Sequence, residues 1–110
     1  MEGTLVGPTL AATASQIAAS LGLSEGELSR QALASFLRER KRQVLQLRLD
    51  ILARYSVESV AELENKIAQG AEGEHPAWED LIVAENLGSR LEELDAYLSR
   101  LQSAATDRAA

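Results

Sequence analysis

SEGELSRQALASFLRERKRQVLQLRLDILARY, Ser24 to Tyr55, contains no proline and, after Gly26, no glycine. Its apolar residues fall at Leu28, Ala32, Leu33, Phe36 and Leu37, then at Val44, Leu45, Leu47, Ile51, Leu52 and Tyr55. Steps of three and four residues place such a set on one side of a helix. Ser24 is a favourable N-cap, and Glu27 three residues later completes a capping box. The stretch therefore predicts one helix ending near Tyr55, on the order of 45 Å long at 1.5 Å per residue. Its stripe thins over 38–43, where a bend or a solvent-exposed section is expected.

Upstream, Glu2–Val6 predicts a short strand, because Thr4 and Val6 favour β structure and Gly3 and Gly7 bracket the piece. Pro8 suits the first turn of a helix, and Leu10, Ala14, Ile17, Ala18 and Leu21 keep helical spacing until Gly22 ends it. Downstream, Ser59 with Glu62 forms a second capping box and opens a short helix that stops before Gly70. Residues 71–74 read as a loop. Pro76 then starts a last helix, with Glu79 and Asp80 in its first turn complementing the dipole. Trp78, Leu81, Ala84, Leu87, Leu91, Leu94, Leu98 and Leu101 follow, and from Leu81 the steps alternate three and four, an a/d heptad seam. Gly88 is expected to face away from that seam. No internal repeat or low-complexity tract interrupts the chain.

Two long helices with one apolar stripe each must bury those stripes. The short helix is too small to cover both, so an antiparallel hairpin of the long and last helices, a dimer, or both are expected. Hydrophobic residues make up 45% of the 110 residues but aromatics only 4%, so the core must come from Leu, Ile, Val and Ala. A chain this short hides a limited share of its surface alone, and a second copy would help. The expected organisation is a head over 1–55, a helical tail over 56–103 and a frayed terminus over 104–110. The expected class is mainly α: a short N-terminal strand, two helices after it, the second of them long, and a C-terminal helical hairpin, in a dimer.

Gly22-Leu23-Ser24-Glu25-Gly26-Glu27-Leu28-Ser29-Arg30-Gln31-Ala32-Leu33, followed by Phe36-Leu37, resembles the ribbon-helix-helix family of the Arc and MetJ type. The resemblance covers about residues 2–40 and implies that Glu2–Val6 pairs with its mate from a second chain, the two-stranded ribbon entering the DNA major groove. Ile17-Ala18, Leu21-Gly22-Leu23-Ser24 and Leu28-Ser29-Arg30 also resemble a helix-turn-helix. The ribbon is favoured, because only one helix precedes the turn and a helix-turn-helix domain normally needs a further one to close its core. The sequence departs from the ribbon pattern where DNA would be read: the strand carries Glu2 and no lysine or arginine, so it lacks the main electrostatic attraction for phosphate. The segment from Tyr55 through Leu63 to Gly70, with Glu74-His75-Pro76-Ala77-Trp78-Glu79-Asp80-Leu81, is similar to the tails of small prokaryotic proteins with such heads, several of them taken for antitoxins. That likeness implies a tail that wraps a toxin, often a ribonuclease.

Charge is unevenly spread. Residues 1–29, 30–54 and 55–110 carry −3, +5 and −8, within a net charge of −6 and a pI near 4.8. A basic middle and an acidic tail imply two surfaces with different tasks, or one neutralising the other. Thr4, Arg38, Arg40, Lys41 and Arg42 are the candidate DNA or phosphate contacts, against a solvated helix face whose partners include Glu39 and Glu27. Trp78, Leu81, Leu87, Leu91, Leu94 and Leu98 are the candidate partner contacts, against packing within the protein's own hairpin or dimer. Trp78 suits an interface anchor and the end of a hairpin core equally.

Catalysis is not expected. His75 is the single histidine, no serine sits in a nucleophile-elbow context, and no cysteine offers a thiolate metal ligand. His75 before a proline reads as a cap or an exposed residue, and Glu79-Asp80 as dipole partners rather than cation ligands. No cofactor, metal or membrane segment is expected; no apolar run reaches the roughly 20 residues a membrane span requires. Absence of cysteine and of a signal-peptide layout fits the cytoplasm. The expected function is an antitoxin or small transcription regulator of the ribbon type, a homodimer holding a toxin on its tail and operator DNA at its head. The alternative is a structural or adaptor helical bundle that binds no DNA.

Overall fold

Ser24, Gly22 and Ser59 shape the junctions of a structure, a computed structural model, that describes the backbone of residues 9–70 and 74–109 and the side chains of residues 9–70 and 76–104. It holds four α-helices: α1 Leu10–Leu21, α2 Glu25–Arg54, α3 Val60–Ala68 and α4 Glu74–Ala109, with no strand among the described residues. The segment Glu2–Val6, expected as a strand, lies outside them, as does Thr4. The chain divides into two compact units, Met1–Ser35 and Phe36–Ala110.

In the first unit the Thr9 hydroxyl caps α1 by accepting from the Ala12 N–H at 3.0 Å. Gly22 closes the helix in the left-handed region at φ 72°, and the Leu23 N–H reaches back to the Ala18 carbonyl at 2.9 Å, a Schellman closure. Ser24 starts α2 by accepting from the Glu27 N–H at 3.0 Å, while the Glu27 carboxylate accepts from Arg30 and Gln31. Ser15 ties the two helices by donating to Glu25 at 2.6 Å. The buried side chains of α1 and of this part of α2 are the alanines Ala18 and Ala34. Small side chains allow close helix approach but bury little area. Leu10, Ile17 and Leu21, expected on the packing face, stand 87%, 44% and 63% exposed.

In the second unit, α2 from Phe36 onward pairs antiparallel with α4. Arg54 meets Asp80 at 3.3 Å, Arg48 Nε donates to the Ala84 carbonyl at 3.2 Å, and Lys41 meets Asp95 at 2.7 Å, so positions fall along α2 as they rise along α4. The expected stripes line this seam in part: Val44, Ile51 and Leu52 are buried from α2, and Ala77, Leu81, Ala84 and Leu94 from α4, whereas Phe36, Leu45 and Leu47, expected on the α2 stripe, are exposed. The helix start differs slightly from expectation. α4 begins at Glu74, which leaves Pro76 in its first turn, where a backbone N–H has no intrahelical acceptor anyway.

Gly88 corrects the reading made from spacing. It faces α2, and the Arg48 guanidinium lies 3.2 Å from where a Cβ would stand. The missing side chain is what gives that guanidinium room to lie across α4.

α3 plugs the closed end of the hairpin. Leu52, Val57, Leu63, Ile67, Ala77 and Leu81 form one core cluster with Tyr55 and Val60 packed against it, and Leu63 is 0% exposed. The Ser59 hydroxyl accepts from the Glu62 N–H at 3.1 Å, and the Glu62 carboxylate accepts from the Glu58 N–H at 2.8 Å, one residue before the expected partner. α2 stops because Ser56 adopts the left-handed region at φ 56°, which lets the Val57 N–H bond the Leu52 carbonyl at 3.1 Å and turns Val57 into the core. Tyr55 adds a phenol hydrogen bond to Asp80, and its carbonyl accepts from Lys66 Nζ at 2.6 Å.

Candidate functional site

The expected basic surface does not assemble on α2, because 100° per residue distributes neighbouring positions around a helix. Lys41 turns into the seam toward Asp95, Arg42 pairs with Glu39, and Arg40 lies over the Phe36 ring at 5.5 Å from its centroid. Arg38, one turn from Arg42, shares that outer side. No single patch combines all four cations.

Arg40 instead belongs to a groove on one flank of the hairpin, of about 590 Å³. Phe36, Arg40 and Val44 form its α2 wall; Val83, Asn86, Leu87, Arg90 and Leu94 form its α4 wall. Phe36 and Val83 are 59% and 46% exposed, whereas Val44 and Leu94 form the floor at 7% and 6%. The charged groups of this lining are Arg40 and Arg90, both cationic. The groove escaped the reading from sequence, which treated α4 as one leucine seam. The signal was present as a second heptad register, Val83, Leu87, Arg90, Leu94, Tyr97, in which the arginine masks the apolar run.

The candidate partner residues of α4 divide. Leu81 is buried in the core cluster and Leu94 lies in the groove floor; Leu87, Leu91 and Leu98 are half-buried, and Trp78 is 40% exposed beside the buried Ala77. Among the described residues, no group of three or more His, Asp or Glu side chains is placed to hold a metal ion. The side chain of His75 lies outside the described residues. Glu27 raises the Arg30 guanidinium above its ordinary value by hydrogen bonding and charge, a contact between half-buried neighbours one turn apart. No helix among the described residues is long and apolar enough to cross a membrane.

A family model described as the uncharacterized protein MJ0235 family matches residues 9–106. The chain belongs to that family. No curated protein and no solved structure matches it.

Membership of the MJ0235 family corrects the ribbon-helix-helix resemblance. The matched region covers both units as one family, rather than a ribbon-type head with an unrelated tail, and the described residues within it form four helices and no strand. The physical reason for the likeness is local. A left-handed Gly22, a capping Ser24 and an apolar run after it are what any tight helix–helix junction requires, whatever the fold around it.

Proposed function

We propose that this MJ0235-family protein is a homodimeric helical adaptor, which acts by holding another protein and neither catalyses a reaction nor binds DNA. One observation carries the reading: α1 contains no charged residue yet leaves Leu10, Ile17 and Leu21 exposed. A 12-residue helix is marginal in water unless its apolar face is buried. A second copy supplies an identical uncharged face across a two-fold axis, and self-complementary patches of this kind are how most homodimers form. The antitoxin expectation drew on the ribbon resemblance and is not carried forward. DNA binding loses its support too, since the cations of α2 are dispersed and two of them already face carboxylates.

The test is a variant with Leu10→Ser, Ile17→Ser and Leu21→Ser together. All three side chains are exposed, so the second unit should keep its thermal transition while the dimer mass in sedimentation equilibrium falls to that of one chain. A variant that stays dimeric would place the self-association elsewhere.

A further inference from the structure

We infer that the groove between α2 and α4 receives an acidic amphipathic helix from another protein. The inference rests on the adaptor reading and deepens it by naming the partner's chemistry.

The shape is that of a missing helix. Val83, Leu87, Arg90 and Leu94 step by four, three and four along α4, and Phe36, Arg40 and Val44 step by four along α2. Two walls with that spacing present the holes into which a third helix inserts a and d side chains. Phe36 and Val83 at the rim, more than two-fifths exposed, supply apolar surface that a helix would cover.

Charge selects the occupant. The chain carries a net −6, yet the charged lining of this groove is Arg40 and Arg90. Arg40 sits over Phe36, and Arg90 meets Glu93 at 2.6 Å through side chains 60% and 48% exposed. So exposed an ion pair contributes little, and a ligand carboxylate can replace Glu93 or share the guanidinium with it. A second copy seated here across a two-fold axis would bring both copies' Arg40 and Arg90 into one interface, and opposed like charges disfavour that arrangement. The seam register, with Lys41 opposite Asp95, puts Arg40 about six residues from Arg90 along the hairpin, or roughly 9 Å. The fitting partner therefore has leucine-type residues at a and d and carboxylates roughly one and a half to two turns apart flanking them.

The experiment titrates the intact chain into a labelled three-heptad peptide with Leu at a and d and Glu at e and g, read by fluorescence anisotropy. A second peptide carries Lys in place of each Glu. The Glu peptide should bind about tenfold more tightly than the Lys peptide. Its affinity should fall as salt rises, as charge pairing near a surface requires. Arg40→Glu combined with Arg90→Glu should reverse the preference. Both positions lie on the groove's wet side, and a circular dichroism melt checks that the variant keeps its fold. Equal affinities, no binding of the Glu peptide, or an unchanged preference in the double variant would each overturn the inference. So would a change of dimer mass in that variant, which would mean that a second copy occupies the groove. Repeating the titration on the Leu10→Ser, Ile17→Ser, Leu21→Ser chain separates the two readings: groove binding retained by a monomer leaves this inference standing whatever the fate of the α1 dimer.

Discussion

Leu63→Ala should remove most of what holds α3 in place. α3 has nine residues, too few to be helical in water by themselves, so its order depends on what Leu63 and Ile67 bury. Leu63 is 0% exposed and packs in a cluster with Leu52, Val57, Ile67, Ala77 and Leu81. Leu→Ala at a buried site costs about 2–5 kcal/mol, the upper part of that range applying where the surroundings cannot collapse into the space. Here the cluster is drawn from three helices and the turn after α2, each anchored separately by Ser59, by the Val57–Leu52 bond and by the Arg54–Asp80 contact. Collapse is therefore limited, and a loss of about 3–4 kcal/mol is expected. For a domain of this size that lowers the melting temperature by roughly 15–25 °C. The assay is thermal and urea unfolding followed at 222 nm, the urea slope checking that the unfolded state is unchanged. A loss below about 1 kcal/mol would show that α3 is not the plug of the hairpin and would refute the core described here.

Two further changes probe the junctions. Ser59→Ala removes the hydroxyl that accepts from the Glu62 N–H and should cost about 1 kcal/mol in urea unfolding. Ser56→Gly should stabilise by about 0.5–1 kcal/mol, because Ser56 holds φ 56° and glycine adopts that region without a Cβ penalty; a destabilised variant would mean that the serine side chain contributes more than its strain costs.

Much of the helical architecture was legible because it is written locally. Ser24 and Ser59 both accept the cap bonds that their spacing from Glu27 and Glu62 implies, and Gly22 ends α1 in the conformation glycine is used for. The leucine spacing of α4 marks a stripe that is buried at Leu81, Ala84 and Leu94 and half-buried at Leu87, Leu91 and Leu98. What the sequence concealed depends on which residues meet across the hairpin. The bases of 38–42 look like one cluster in a linear reading, but a helix sends Lys41 into the seam, Arg40 into the groove and Arg42 to Glu39. Gly88 looks like a defect on a solvent face until Arg48, 40 positions earlier in the chain, is found lying over it. The head misled for the opposite reason: its junction signals are correct and generic, so they specified the turn without specifying the family.

The central claim, that this chain works as a self-associated binding protein, is tested most directly by its mass in solution. Sedimentation equilibrium of the intact chain at micromolar concentration should return twice the 11.9 kDa chain mass. A single species of 11.9 kDa that persists as the concentration is raised would contradict it, and would mean that α1 is stable with its apolar face in water.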